Sequence, residues 1–274
     1  MKPSVQPIAS GSRPARPTHQ WLHVIRSLVF FLALTLTVIP WAFVVCGGAL
    51  FLSKPKRYWL AMRWVGWAIY CARAICGIRY RVLGWENLPN EPAIVLCKHQ
   101  SAWETLWLPT LLPRRLSFVY KRELHWVPFF GWGLASLGMV NINRAHGQNA
   151  FEQVVAQGSA HLQDGWWIAM FPEGTRTAPG QRRRYKSGGA RLAVRTGAKI
   201  IPIALNSGEY WPRNAFIKRP GEITVSILPT IDPAGKTADQ VAASVEQAIE
   251  DEMHRRFPHH YRAGSHRASG PPGS

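Results

Sequence analysis

The sequence has few cysteines, and its first third has no acidic residues. Four cysteines occur in 274 residues, and no two of them are spaced as Cys-x-x-Cys. This excludes a disulfide framework, argues against a cysteine-ligated zinc site or a redox dithiol, and fits reducing surroundings best. No Asp or Glu precedes Glu86, whereas residues 1–85 carry eleven Lys or Arg. We therefore expect the first third to contact an anionic partner.

The composition is that of a folded protein with a basic excess. Hydrophobic residues make up 47% of the chain and charged residues 18%, and the formal net charge is +18. The chain is too apolar for a disordered polyelectrolyte, and its length suffices for one large domain or two small ones. The sequence contains no internal repeat.

A long uncharged run follows a polar arm. Residues 1–20 mix Pro, Ser, Gly and Arg without an apolar period, which predicts a basic disordered arm rather than a secretory signal. From Leu28 to Leu52 the chain is apolar apart from two Thr, long enough to cross the hydrocarbon of a bilayer. Pro40 leaves two forms open, a kinked helix or a hairpin that re-enters one leaflet. A buried core helix is the less favoured alternative.

The residues around this run also suit a membrane surface. Basic residues flank it on both sides, so the positive-inside rule assigns no orientation. Residues 56–77 contain three tryptophans among aliphatic side chains, with Lys56, Arg63 and Tyr70 on one helical stripe. This predicts an interfacial helix among lipid headgroups; a helix packed on the protein's own core is the alternative. We assign residues 21–77 to a membrane-associated helical pair.

From about residue 78, short apolar runs alternate with helical patterns, which is typical of an α/β domain. The predicted strands are 78–83, 93–97, 116–120, 140–142, 166–171, 199–206 and 222–228. The predicted helices are 101–112, 124–137, 147–163, 188–196 and 238–255, the last capped by Thr237 and Gln240.

The predicted fold class is α/β, with a central mixed, largely parallel sheet of about seven strands flanked by helices. An N-terminal membrane-embedded helical motif precedes this sheet. The predicted domain spans 78–257, and residues 258–274 are predicted to form a disordered tail.

A histidine and a glutamate lie where the second predicted strand gives way to a helix. Open α/β folds usually build their sites at this edge of the sheet, and His99 precedes the helix with Glu104 in its first turn. The two meet only if the chain turns at Ser101, the predicted N-cap. Ser101 and Glu104 also match a capping box, in which Glu104 has no catalytic task. The alternative is that Glu104 fixes the tautomer of His99, whose other nitrogen removes a proton from a hydroxyl.

Residues 171–176, Phe-Pro-Glu-Gly-Thr-Arg, follow another strand and precede a loop rich in Arg and Lys. Gly174, Thr175 and Arg176 offer backbone N–H groups, a hydroxyl and a planar guanidinium, which suit a phosphate monoester. The alternative is a tight turn with a solvated arginine. Glu173 is interpreted as the partner of Arg176 in a buried ion pair that holds the loop.

Four blocks, in order over residues 93–208, resemble the glycerolipid acyltransferase family, which contains the 1-acylglycerol-3-phosphate acyltransferases. They are His99 with Glu104; Lys121-Arg122-Glu123-Leu124 through Ile142-Asn143-Arg144; Phe171 to Arg176; and Ile200-Ile201-Pro202-Ile203-Ala204. The chain departs from the family at two positions. The family usually has Asp at the position of Glu104, and Asn is common at that of Lys98.

The resemblance implies a role for eight residues. They are His99 and Glu104 in catalysis, and Lys121, Arg144, Glu173, Gly174, Thr175 and Arg176 in substrate binding. His99 is then the general base, Arg144 and the turn at 173–176 hold the glycerol phosphate of the acceptor, and Lys121 lies near the thioester or the acceptor. The resemblance also implies a membrane-dipping N-terminal helix pair.

The predicted reaction moves a fatty acyl group from acyl-CoA or acyl carrier protein to the sn-2 hydroxyl of 1-acylglycerol-3-phosphate, forming phosphatidic acid for phospholipid synthesis. We expect no metal and no cofactor beyond the acyl donor, and no acyl-enzyme, since no Gly-x-Ser-x-Gly elbow occurs. The expected partners are the lysophospholipid, the donor and a bilayer with anionic lipids, but no nucleic acid. We expect membrane localisation with the active domain on the cytoplasmic face.

Three alternatives stay open from the sequence. The enzyme could acylate another lysolipid, or the same His99 and Glu104 could activate water in an acyl-thioester hydrolase. A basic, membrane-anchored nucleic-acid-binding protein is the third. It is disfavoured because no recognisable nucleic-acid motif occurs and the basic residues are interleaved with the bilayer-length apolar run.

Overall fold

The computed structural model describes residues 20–127, 130–142 and 149–261. The helices are α1 (Gln20–Gly47), α2 (Lys54–Ala74), α3 (Trp103–Leu111), α4 (Phe130–Leu137), α5 (Asn149–Gln163), α6 (Gly188–Thr196), α7 (Ser207–Tyr210) and α8 (Ala238–Arg256). The strands are β1 (Ile78–Leu83), β2 (Ile94–Cys97), β3 (Leu116–Phe118), β4 (Tyr120–Lys121), β5 (Asn141–Ile142), β6 (Trp167–Met170), β7 (Ile200–Leu205) and β8 (Gly221–Ile227).

Six strands form one mixed sheet in the order β1-β8-β7-β2-β6-β3. All neighbouring pairs are parallel except β7 and β8, which are antiparallel. This confirms the predicted α/β class with a mixed, mostly parallel sheet. The predicted strand at 140–142 is not part of it, because β5 pairs with β4 in a separate two-stranded sheet. The main sheet therefore has six strands rather than about seven.

The sheet separates two apolar layers. Ala93, Val95 and Cys97 belong to the layer that includes residues of α2 and α3, whereas Ile94 and Leu96 belong to the layer that includes residues of α6 and α8. Alternate side chains of a strand point to opposite faces of a sheet. The same alternation directs the two residues that follow β2 toward opposite layers, and these residues lie in the candidate site.

The N-terminal segment is a hairpin of two long helices. α1 is long and apolar enough to cross a membrane, and it continues through Pro40. It ends at Gly47, and α2 packs beside it, with the indole N–H of Trp64 donating to Thr37 Oγ1 at 3.0 Å. Most apolar side chains of α1 are exposed, and Leu36 and Phe43 are 71% and 59% accessible.

The base of this hairpin rests on the α/β domain. The hydroxyl of Ser27 accepts a hydrogen bond from the Lys218 backbone N–H at 2.8 Å, and Phe30 packs edge-on against Trp211. One face of α2 is buried against the domain, as the core-packing alternative requires, while the predicted stripe of Lys56, Arg63 and Tyr70 is exposed. These two faces make α2 suited to lie between a protein core and another phase.

Two element boundaries differ from the sequence-based expectation. The predicted helix at 124–137 is a 3₁₀ turn at Arg122–Trp126 and, after two residues outside the described ranges, the helix α4. The predicted tail begins too early, since Pro258–His260 form a packed 3₁₀ turn in which His260 is buried. The rest of the predicted tail and nearly all of the predicted arm lie outside the described residues.

Candidate active site

His99 is the second residue after the carboxyl end of β2, which lies near the centre of the sheet. Its ring stacks on Phe171 with centroids 3.8 Å apart, and the side chain is 12% exposed. Its Nδ1 lies 2.9 Å from Glu104 Oε1. When Nδ1–H donates to this carboxylate, Nε2 is left with the lone pair of a base. The geometry thus suits proton removal by a held, partly accessible imidazole.

Glu104 is fully buried, and both of its carboxylate oxygens have partners. Oε1 accepts from the backbone N–H groups of Gln100 and Ser101, each at 2.7 Å, in addition to His99. Oε2 accepts from the hydroxyl of Ser207 at 2.8 Å. Four hydrogen bonds hold this carboxylate in place, which is how a buried charge is accommodated.

Glu104 has both of its predicted roles at once, as the acidic residue of a capping box and as the partner of His99. Its carboxylate returns to the Ser101 N–H, as in a capping box, and the same oxygen contacts His99. The predicted N-cap is displaced: α3 begins at Trp103 after Ala102, and Ser101 Oγ accepts from the Trp103 N–H at 2.7 Å. Ser101 still satisfies a free N–H group of the first turn.

Glu173 pairs with Lys98, so the expected pair with Arg176 is wrong. Lys98 Nζ lies 2.8 Å from Glu173 Oε1, and these two side chains are 1% and 0% exposed. Glu173 also accepts from the His99 backbone N–H at 2.7 Å and from the Thr177 hydroxyl at 2.7 Å. The strand alternation explains the partner, because it directs Lys98 away from His99 and under the turn that carries Glu173.

A second carboxylate, from α8, completes this cluster. Glu250 Oε1 lies 2.7 Å from Lys98 Nζ and accepts from the Tyr185 hydroxyl at 2.9 Å. We call Lys98, Glu173, Tyr185 and Glu250 the buried charge cluster. It ties the end of β2, the turn after β6, the following loop and α8 to one point behind His99.

The turn at 173–176 needs its glycine. Gly174 has φ of +70°, and a Cβ there would lie 2.7 Å from Lys186 Nζ, so a larger residue would be strained and would displace the lysine. The turn is closed by the Lys186 backbone N–H donating to Pro172 O at 2.8 Å. Thr175 and Arg176 are half-buried at its rim. The hydrogen-bond donors expected to bind a phosphate therefore lie together at one accessible turn. The side chain of Lys186 lies beside them and adds a positive charge.

The structure describes one of the other two predicted binding residues. Lys121 is exposed at the end of β4, where it is paired in register with Ile142 of β5. Arg144, two residues after Ile142, lies outside the described residues. Phe118 of the preceding strand stacks on Phe171 at 6.0 Å, and that ring contacts His99.

Cys97 is close to the site but is unsuited to nucleophilic chemistry. The residue is fully buried. Burial raises the pKa of its thiol well above the ordinary value, and the charges of Glu104 and Glu173 raise it further. A protonated, enclosed thiol is a poor nucleophile. Cys97 is therefore a poor candidate for carrying an acyl group.

Sequence reasoning did not identify four contributors to this arrangement. In the sequence, Phe171 stands out only as part of a motif, and Lys98 only as a departure from a family. Ser207 and Glu250 carried no local signal, since they lie 103 and 152 residues from their partners in the chain. A lysine directly after an apolar strand was the one available clue.

Comparison with known proteins gives a consistent result. A family model described as Acyltransferase matches residues 79–206. The 1-acyl-sn-glycerol-3-phosphate acyltransferase of Pseudomonas aeruginosa is 40% identical over 228 residues, covering 83% of this chain and 88% of that protein. The alpha form of the mouse enzyme of the same name is 31% identical over 63% of this chain and 61% of its own length.

The fold also matches a solved structure. The crystal structure of the 1-acyl-sn-glycerophosphate acyltransferase from Thermotoga maritima superposes with a TM-score of 0.72, covering 87% of this chain and 97% of that one. The sequence identity of the pair is 19%, so this likeness concerns the fold.

Proposed function

The chain belongs to the acyltransferase family, and from that premise we propose that it acylates the sn-2 hydroxyl of 1-acylglycerol-3-phosphate to form phosphatidic acid. The acyl group comes from a thioester of coenzyme A or acyl carrier protein. The observation that carries this proposal is the contact of His99 Nδ1 with the buried carboxylate of Glu104 at 2.9 Å. It supplies a positioned base for a hydroxyl nucleophile.

We propose a direct transfer. His99 Nε2 accepts the proton of the acceptor hydroxyl while the hydroxyl oxygen attacks the thioester carbonyl carbon. The new C–O bond forms, the C–S bond breaks, and the proton on His99 passes to the leaving thiolate. Glu104 supports the imidazolium between these steps, since a carboxylate on Nδ1 favours the charged ring. Atoms and charge balance with no acyl-enzyme.

The acceptor phosphate is assigned to the turn that follows β6. Gly174, Thr175 and Arg176 contribute an N–H group, a hydroxyl and a guanidinium, and Lys186 lies directly over the turn. Glu173 supports this turn from below through the Lys98 contact rather than binding substrate, because its carboxylate is buried and satisfied. We propose that Arg144 holds the acceptor phosphate together with this turn and that Lys121 lies near the thioester or the acceptor.

The hairpin is assigned to the bilayer. Its two ends are adjacent, since the Cys76 thiol lies 3.9 Å from Arg26 O, so the chain leaves the α/β domain and returns to it on one side. This arrangement favours a hairpin that enters and leaves the membrane on the same side, rather than a segment that crosses the membrane once. The lipid acceptor would then reach His99 from the bilayer surface. We also propose that the active domain faces the cytoplasm.

The decisive experiment is acyl transfer from radiolabelled acyl-CoA and acyl carrier protein to a panel of lysolipids by the full chain in vesicles. His99→Ala should lose about 10²- to 10⁴-fold in turnover, because the base is removed. His254→Ala, which changes an exposed histidine of α8, is the control. Near-normal turnover of His99→Ala would overturn the mechanism. A preference for another lysolipid would show that 1-acylglycerol-3-phosphate is not the acceptor.

A second pair of variants tests the phosphate assignment. Arg176→Ala should raise the KM for the phosphate-bearing acceptor, whereas Arg195→Ala, which breaks an exposed pair with Glu152, should not. An unchanged KM in Arg176→Ala would place the phosphate elsewhere. Release of free fatty acid without acceptor would indicate a hydrolase. RNA that competes with vesicles in a pelleting assay would indicate a nucleic-acid-binding protein.

A further inference from the structure

Two histidines and a glutamate converge outside the His99 site. In the 3₁₀ turn after α8, His259 Nε2 and His260 Nε2 lie 3.2 Å and 2.6 Å from one oxygen, Glu209 Oε1 of α7. One ligand atom from each residue lies within 4.8 Å of the other two. Two imidazole nitrogens that converge on a single carboxylate oxygen are spaced as ligands of one ion are spaced.

The turn that presents the histidines is held firmly. Phe257, which precedes it, is buried and stacks on the His260 ring at 5.5 Å. On the other side, a Cβ at Gly180 would lie 2.2 Å from His260 O. This glycine has φ of +79° and lets the loop after β6 approach the turn closely. The turn and the His260 ring are therefore positioned by packing and do not depend on the contact with Glu209.

Glu209 is oriented as a ligand carboxylate is. Asn206 Nδ2 donates to the same Oε1 at 2.8 Å. Metal ligands commonly have such partners in their outer shell.

We propose that Glu209, His259 and His260 form a binding site for a divalent transition ion, with Zn²⁺ as the best match. Two imidazoles and one carboxylate are a common Zn²⁺ ligand set, whereas Mg²⁺ and Ca²⁺ prefer oxygen ligands alone. The His259 side chain is 55% exposed and the Glu209 side chain 22%, which gives an ion and a water ligand access. The His260 side chain, at 5%, forms the inner wall.

The required movements are small. Tetrahedral Zn²⁺ with bonds of about 2.0–2.1 Å separates its ligand atoms by about 3.3 Å. The His259 contact with Glu209, at 3.2 Å, already has this spacing, and the His260 contact, at 2.6 Å, must open by about 0.7 Å. The exposed His259 side chain has the freedom to adjust.

The site would join the turn after α8 to two segments that border His99, α7 and the loop after β6. Glu209 lies in α7, where Ser207 donates to Glu104 and the Gly208 N–H donates to Gln100 Oε1 at 3.0 Å. The turn of His259 and His260 packs on the loop after β6 through Gly180. A bound ion would therefore fasten the turn after α8 to the elements that support His99 and Glu104. Ion binding itself does not depend on the proposed function.

The test is calorimetric titration of ZnCl₂ into the full chain, purified without a histidine tag. We expect one ion per chain. His259→Gln and Glu209→Gln should each weaken affinity by at least about 100-fold, since loss of an outer-shell partner alone costs about 10- to 100-fold. His254→Gln, a change of an exposed histidine five residues before His259, is the matched control and should bind as the unaltered chain does.

Thermal unfolding gives a second readout that needs no activity. Zn²⁺ should raise the midpoint of the unaltered chain and of His254→Gln, since an ion that binds only the folded state stabilises it. It should leave His259→Gln unchanged, and Mg²⁺ should shift none of them. His260 is left intact because it is buried. Absence of saturable binding, or an affinity unchanged in either His259→Gln or Glu209→Gln, would overturn the proposal.

Discussion

Charged side chains lie inside the protein behind His99, whereas large apolar side chains lie on its surface along α1. Lys98, Glu104 and Glu173 are each no more than 1% exposed, while Leu36 is 71% exposed and Phe43 59%. Folded proteins usually place these residue types the other way round. The α/β domain and the hairpin thus depart from the common distribution in opposite directions.

The two departures have different physical causes. Each buried charge of the domain has a partner of opposite sign or several hydrogen bonds, so its position is set by the protein itself. The apolar side chains of α1 face outward, and their favourable environment is the lipid that we propose around them. The buried charges fix the geometry of the site around His99, and the apolar surface of α1 fixes where the protein lies in the cell, at a membrane.

Breaking the buried charge cluster should have the largest effect. Lys98→Met leaves Glu173 and Glu250 buried without their cation, which should lower the free energy of unfolding by about 3–5 kcal/mol. Denaturant titration of the full chain in detergent measures it. Adding Glu250→Gln to Lys98→Met should restore part of the loss, because one uncompensated charge is removed. An unchanged stability in Lys98→Met would show that these carboxylates do not need the lysine.

Making the hairpin polar should remove the protein from vesicles while leaving the domain folded. Burying one Leu or Phe side chain is worth about 1.5–3 kcal/mol, so Leu36→Ser with Phe43→Ser should weaken vesicle binding by at least about 100-fold. Co-sedimentation with vesicles of anionic lipid measures this. Val194→Ser, at an exposed position of α6, is the control. Equal pelleting of both proteins would place the membrane contact on another surface.

Removing only the charge of Glu104 tests its contact with His99 without creating a cavity. Glu104→Gln keeps the size of the side chain but places an amide against three N–H donors and the Ser207 hydroxyl. Hydrogen bonds to charged groups contribute about 1.5–3 kcal/mol, so kcat should fall about 10- to 100-fold. The KM for the acceptor should stay near its original value.

Glu104→Asp is the informative companion variant, because Asp is usual at this position in the family that the sequence resembles. An aspartate is one methylene shorter, and it should retain more kcat than the amide if the charge matters more than the reach. If the kcat of Glu104→Gln were unchanged, the only role left for Glu104 would be to cap the first turn of α3.

How much could be predicted depended on the distance along the chain. The contact of His99 with Glu104 follows from a five-residue spacing with a turn between them, and it was predicted. The partner of Glu173 was assigned locally to Arg176, whereas the structure uses Lys98, 75 residues earlier by number. Hydrophobic period and capping give local order, but a single sequence does not say which distant charges meet in a core.

The same limit applies to the fold. Strands were placed to within about two residues because their apolar runs are short and bounded by turns. The departure of β5 from the main sheet has no local signature, since pairing depends on which edge is free. The buried charge cluster joins four separate segments, so it could not be predicted without knowing how these segments pack in the fold.

The smallest effect should come from an ion pair with the same geometry in a different setting. Lys199 Nζ lies 2.7 Å from Glu91 Oε1, as Lys98 Nζ does from Glu250 Oε1. The exposed fractions of the side chains are 42% and 48% in the first pair but 1% and 3% in the second. Water screens the first pair and solvates either partner when the other is lost. Lys199→Ala should therefore leave the denaturant midpoint within experimental error, and any residual change should vanish in high salt. A loss comparable with that of Lys98→Met would mean that distance, rather than burial, decides what a charge contributes in this protein.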